Sequence, residues 1–392
     1  MGYKSGSEIR FCGYRWSEFM KAGKLIDLLG ADFYTGVPDS LLAPFCDCLM
    51  KRYGTDPAHH IVAANEGNAA AIAAGYHLAT GKIPVVYMQN SGEGNIVNPA
   101  ASLLHEKVYA IPVLFVIGWR GEPGTQDEPQ HTYQGAVTCR LLEDLGIEYA
   151  VVGPQTQEGQ LHLVMQRFRQ LFSEGICAAL VVRRGVLEQE QQAGDQNAYQ
   201  MEREEAIRRI AEAAGTDPVI VTTGKAGREL FEIRTANRQG HQTDFLTVGS
   251  MGHCSSIALG IAIHKPDTKI WCVDGDGAVL MHMGALAVAG AASPQNLVHI
   301  VINNGAHESV GGMVNAARDL ELAAVAGTCG YRYAVCVERY EDLDAELERA
   351  RTGAGLRMIE VKCAVGSRKD LGRPGVGARE NKEAFMRYVK GL

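Results

Sequence analysis

The chain has 392 residues, 46% of them hydrophobic and 21% charged, the balance of a globular protein long enough for two domains. Its formal net charge of −7 argues against a general nucleic-acid binder, although a local pocket for a small anion is compatible with it. The ten cysteines, among them Cys46, Cys48, Cys139, Cys254, Cys272 and Cys363, lack the CxxC spacing of a structural zinc site and read as reduced thiols.

Residues 1–11 carry Lys4 and Arg10 but no apolar run of signal-peptide length, and Gly6 stands where a myristoylation motif needs Ser or Thr. A cytoplasmic protein is expected. Short apolar runs predict strands at 33–35, 61–64, 84–88, 113–117 and 178–182, with helical patterns between them. The longest of these runs are too short to cross a bilayer, so no membrane partner is expected. Residues 188–200, EQEQQAGDQNAYQ, have no apolar periodicity and read as a linker, which divides the chain into domains 1–187 and 204–392 joined by 188–203. Strands at 219–222, 245–248, 270–273, 299–302 and 357–361 repeat the arrangement. Strands alternating with helices imply two doubly wound parallel-sheet α/β domains, with no sequence repeat between the halves.

The most specific chemical signal follows the strand at 270–273. Gly275-Asp276-Gly277 is separated by the 25 residues 278–302 from Asn303-Asn304 at the end of the next strand. Glycines on both sides of Asp276 permit a sharp turn and close approach to a bulky anion, and the returning chain sets the second strand end beside the first. An Asp carboxylate and an Asn amide oxygen are hard donors suited to Mg²⁺, which completes its shell with phosphate oxygens and water. A dinucleotide fingerprint does not fit, because GxGxxG would need glycine at position 280, where Leu280 stands. Earlier in the chain, Glu66 lies in Ala64-Asn65-Glu66-Gly67-Asn68, between a strand and an Ala-rich helix; as a first-turn acid it would also suit the helix dipole. Gly249-Ser250-Met251 follows another strand, where Met251 could equally be core filler, and Thr223-Gly224-Lys225 follows the strand at 219–222.

These motifs resemble the thiamin-diphosphate-dependent 2-oxoacid decarboxylase family, whose cofactor fingerprint is GDG, about two dozen residues, then NN. The resemblance implies that Asp276 and Asn304 hold Mg²⁺ through their side chains and Ala306 through its carbonyl. It places Gly277, Ala278 and the loop of Gly224 against the diphosphate, counts Gly249, Ser250 and Gly275 among the cofactor-binding residues, and sets Met251 under the bent cofactor. Glu66 would hydrogen-bond the pyrimidine ring, facing the diphosphate domain of another subunit, so a homo-oligomer with its active sites at the subunit interface is expected. Segments 35–42, 127–132, 303–312 and 367–374 are similar to the compact branch that lacks a middle domain, while 313–315 and 375–377 depart from it. The implied substrate is a three-carbon 2-oxoacid with a second strong anion, a phosphonate or alternatively a sulfonate. A catalytically silent binding subunit is the reading from another class. Proton transfer would fall to His131 and His307, with Asp39 or Ser40 completing the polar wall, although Asp-Ser also forms turns and His is often a packed core residue. Arg120, Arg368 and Arg373 are the guanidinium candidates for the second anion.

Overall fold

The computed structural model describes residues 20–188, 197–308 and 312–392. The N-terminal segment expected to lack a targeting sequence, residues 189–196 of the expected linker, and Ser309, Val310 and Gly311 lie outside the described residues. The chain divides into two units, one ending at residue 194 and the other beginning at 195.

The first unit is built on six strands: β1 Tyr34–Gly36, β2 His60–Val62, β3 Val85–Gln89, β4 Leu114–Gly118, β5 Glu148–Val152 and β6 Ala178–Val182. All pair in parallel in the order β2-β1-β3-β4-β6-β5. Sheets of this kind are covered by helices on both faces, which is why β4 and β6 read as continuous apolar runs and are buried at every position. One face packs on the Ala-rich helix Glu66–Thr80 through Ala69, Ala70, Ala73 and Ala74, whose small side chains let the helix lie close to Val86, Met88 and Phe115. Asn65 caps that helix by accepting the Asn68 N–H at 2.8 Å, and Gly81, left-handed at φ 69°, ends it.

The second unit contains β7 Val219–Val221, β8 Asp244–Leu246, β9 Ile270–Gly275, β10 Leu297–Asn303, a hairpin of β11 Ala306–His307 with β12 Met313–Val314, then β13 Tyr333–Val337 and β14 Arg357–Lys362. Its parallel sheet has the order β13-β14-β10-β9-β7-β8. Two doubly wound parallel sheets are therefore present, as the alternating pattern predicts. The pattern misses β5 and β13, and both are edge strands. Glu148 breaks the apolar run of β5, while β13, Tyr-Ala-Val-Cys-Val, is apolar throughout but leaves Tyr333 and Cys336 exposed at the sheet edge. The segment expected to return as one helix between Asp276 and Asn303 is two, Asp276–Met281 and Gly284–Ala292, broken at His282 and Met283.

Candidate active site

In the first unit the ends of neighbouring parallel strands open onto one edge of the sheet, where α/β proteins bind their ligands. Glu66 is the first residue of its helix and is only 4% exposed. Burial raises the pKa of its carboxyl, against the opposing pull of Asn95, whose amide donates to Oε2 at 2.6 Å. Gly92 presses on the same carboxyl: a Cβ added there would stand 2.4 Å from Glu66 Oε1. The next residue, Glu93, is 1% exposed with neither carboxylate oxygen hydrogen-bonded, and burial pushes its pKa up to about 9.

Beyond β1, Asp39 accepts the N–H groups of Leu41 and Leu42 on Oδ2, at 3.1 and 3.3 Å, and the Gln89 amide on Oδ1 at 2.7 Å. The turn-forming and the polar-wall readings of Asp39 thus both describe its contacts. Burial raises its pKa, opposed by Gln89 and Arg120. Arg120 donates to Ser40 Oγ at 2.9 Å and grips Asp127 with two bonds of 2.8 and 2.6 Å. Burial works against ionisation of Asp127, but Arg120 holds its carboxyl well below the usual range. His131, at the start of the helix Pro129–Asp144, keeps a buried Nδ1 with no hydrogen-bond partner, and burial, then the Arg120 charge, lower its pKa. Asp39, Ser40, Arg120 and His131 therefore belong to one polar cluster.

In the second unit β9 and β10 run side by side with Gly275 opposite Ile302, so Asp276 and Asn304 emerge from adjacent strand ends. Asp276 Oδ1 accepts the Gly277 N–H at 2.6 Å and Oδ2 the Gly305 N–H at 2.7 Å. Among the described residues no Lys or Arg is ion-paired with it, and burial pushes its pKa up to about 6. The amide of Asn315 beside it has no hydrogen-bond partner within bonding geometry. The two asparagines play different parts. Asn303 faces inward, donating to Glu360 Oε1 at 2.7 Å, whereas Asn304 donates its amide to Glu308 and receives the Ala306 N–H on Oδ1 at 3.1 Å. A Cβ added to Gly277 would lie 3.2 Å from His307 Cε1 and 3.4 Å from Met251 Cε, which makes Met251, Gly277 and His307 immediate neighbours. Surrounding atoms push the His307 pKa down to about 4, so the ring is neutral at pH 7. Gly249, Ser250 and Gly252 all have left-handed φ, of 68°, 48° and 90°; for Ser250 that backbone is strained, a condition concentrated at functional turns. Gly224 is also left-handed, at φ 107°, and starts the helix Lys225–Ala236.

Residues 24–139 match the family described as thiamine pyrophosphate enzyme, N-terminal TPP binding domain, and residues 222–361 match its C-terminal TPP binding domain. The chain belongs to the thiamine pyrophosphate enzyme family. Among its relatives, a phosphonopyruvate decarboxylase of Streptomyces viridochromogenes is 36% identical over 92% of both chains. Another phosphonopyruvate decarboxylase, of Streptomyces hygroscopicus, is 34% identical over 92% of this chain and 91% of its own. A sulfopyruvate decarboxylase of Methanosarcina acetivorans is 27% identical over 76% of this chain and 79% of its own.

The residues fit the family's cofactor. A buried carboxylate without a cationic partner, an Asn oxygen and a backbone carbonyl form an all-oxygen donor set at one sheet edge, the chemistry a diphosphate-bound Mg²⁺ requires. Of the three guanidinium candidates, Arg120 is grouped with other candidate residues. Arg368 is met by Glu204, Glu232 and Asp370, and Arg373 is exposed. Sequence reasoning passed over Gln89, Asn90 and Asn95. Asn90, fully buried, fixes the Arg120 backbone with bonds of 2.8 Å to its carbonyl and 3.1 Å from its N–H. The available signal was the polar run Gln89-Asn90-Ser91 directly after an apolar strand.

Proposed function

We propose that this protein decarboxylates 3-phosphonopyruvate to phosphonoacetaldehyde and CO₂, using thiamin diphosphate held through Mg²⁺. The near full-length match to two phosphonopyruvate decarboxylases carries the reading, and the conjunction of buried Glu66 with the Asp276 and Asn304 pair supports it. When bound, thiamin diphosphate would supply an electron sink for the electron pair left on the keto carbon of a 2-oxoacid as CO₂ departs. Domain 1–187 binds the pyrimidine end, with Glu66 hydrogen-bonded to the ring and held by Asn95; domain 204–392 binds the diphosphate and Mg²⁺. Asp276, Asn304 and the Ala306 carbonyl would take the metal; Gly277, Ala278 and the loop of Gly224 would line the diphosphate, with Gly249, Ser250, Gly275 and Met251 as further cofactor-binding residues. His307, neutral at working pH, and His131 are suited to accept and return protons, and Asp39 and Ser40 orient the oxoacid. Arg120 offers guanidinium charge to the phosphonate, and Arg368 and Arg373 are the candidates in the second domain. One cofactor spanning Glu66 of one subunit and Asp276 of another makes the active form a homo-oligomer. The nine described cysteines are free, which suits the reducing cytoplasm.

Sulfopyruvate, the substrate in the name of the relative at 27% identity, is the second reading. CO₂ release measured from phosphonopyruvate, sulfopyruvate and pyruvate, with and without EDTA, separates the two. The fastest turnover is expected on phosphonopyruvate and is expected to vanish with chelation. Preference for sulfopyruvate would replace the substrate, and inactivity on all three despite bound cofactor would point to a catalytically silent subunit.

A further inference from the structure

We infer that Glu308 is a positioning residue for the metal site, which together with the Ala306 N–H fixes the orientation of the Asn304 amide and so the atom left for the cation; this rests on the reading of Asn304 as a ligand. The Asn304 amide nitrogen donates to Glu308 Oε2 at 3.0 Å. An ionised carboxylate only accepts hydrogen bonds, so it selects the NH₂ end of the amide and leaves the carbonyl end to face elsewhere. Asn304 Oδ1 receives one N–H, from Ala306, and retains a lone pair for a metal. The opposite orientation would turn an NH₂ group toward the cation.

The carboxylate that makes this selection is itself fixed. Arg203, 7% exposed, is locked to the fully buried Glu229 by two bonds of 2.7 Å and reaches Glu308 Oε2 with its remaining nitrogen. Lys225 donates to Glu308 Oε1 at 2.8 Å and to Ser367 at 2.7 Å. The amide of Asn197 clamps the Asn304 backbone carbonyl at 2.8 Å. Backbone and side chain of Asn304 are thus held by separate groups, and two contacts distinguish its oxygen from its nitrogen: the Ala306 N–H on Oδ1 and the Glu308 carboxylate, the one side chain that does so, on the amide nitrogen. Partners that orient a ligand commonly change metal affinity by about 10–100-fold when removed.

The test is Mn²⁺ binding to the full-length protein with thiamin diphosphate present, read by electron paramagnetic resonance, in wild type, Glu308→Leu, Glu308→Gln and Asn304→Ala. Glu308→Leu is expected to weaken Mn²⁺ by about 10–100-fold, with decarboxylation recovered at saturating metal. Glu308→Gln retains an acceptor oxygen that Arg203 and Asn304 can share, and is expected to bind close to wild type. Weakened binding in Asn304→Ala with unchanged binding in Glu308→Leu would overturn the positioning role alone. Unchanged binding in Asn304→Ala would remove the ligand reading and the positioning role with it. If Glu308→Leu fails to fold, equal weakening in Glu308→Gln and in Asn304→Ala would contradict the proposal, because an acceptor oxygen would then not suffice.

Discussion

Asp276 shows how burial and function are linked at a single residue. Its metal-free carboxyl is raised from the ordinary 3.8 to about 6, so the folded protein holds a proton there more tightly than the unfolded chain does. That contribution to stability is fully present below about pH 4 and is lost as the pH rises through about 6. A cation held there, as proposed, would reverse the balance, because it would bind the carboxylate and compete with the proton. Mn²⁺ affinity is therefore expected to fall about tenfold per pH unit below pH 6 and to level off above it, as equilibrium binding at pH 5, 6 and 7.5 would show. A flat profile would mean that Asp276 is not the titrating ligand. The sequence exposes Asp276 and Asn304 through their spacing, but it does not show that Asn303 turns inward to Glu360. Nor does it show that Glu308 joins Asn304, Arg203 and Lys225, since those partners lie 4, 105 and 83 positions away. Such contacts exist only after the sheet has assembled.

At the level of elements, each candidate cluster sits where a parallel strand hands over to a helix or turn. Glu66 follows β2, Asp39 follows β1, Gln89 ends β3 and Arg120 follows β4, all on one sheet. The close fit between the turn at Asn90–Gly92 and the helix start at Glu66 makes a specific demand. Gly92 has an ordinary helical backbone, φ −74°, so alanine there would cost little conformationally, yet its Cβ would meet the Glu66 carboxyl. Gly92→Ala is expected to lower the thermal midpoint modestly, because the added methyl overpacks a buried site, and to lower kcat/KM by about 100-fold, the scale of a misplaced catalytic group. A wild-type rate would show that Glu66 does not need its present position. Interior strands were legible because burial on both faces makes them continuously apolar. β5 and β13 were not: β5 opens on the charged Glu148, whereas β13 is apolar throughout, and only the assembled sheet shows it to be a partly exposed edge strand.

Across the whole molecule, both thiamine-pyrophosphate-binding domains are present in one chain, and no helix among the described residues is long and apolar enough to cross a membrane. The family was legible from GDG and NN because metal and diphosphate chemistry tolerates few alternatives at those positions. The substrate was less legible, because guanidinium groups do structural work as well: Arg368 is engaged by three carboxylates and Arg120 by Asp127. The central claim, that Glu66 drives thiamin-dependent decarboxylation, is tested most directly by CO₂ release from phosphonopyruvate in wild type and Glu66→Gln, each saturated with thiamin diphosphate and Mg²⁺ and with bound cofactor measured in parallel. The account predicts equal cofactor content and a rate at least about 100-fold lower in the variant; an unchanged rate at equal cofactor content would contradict it.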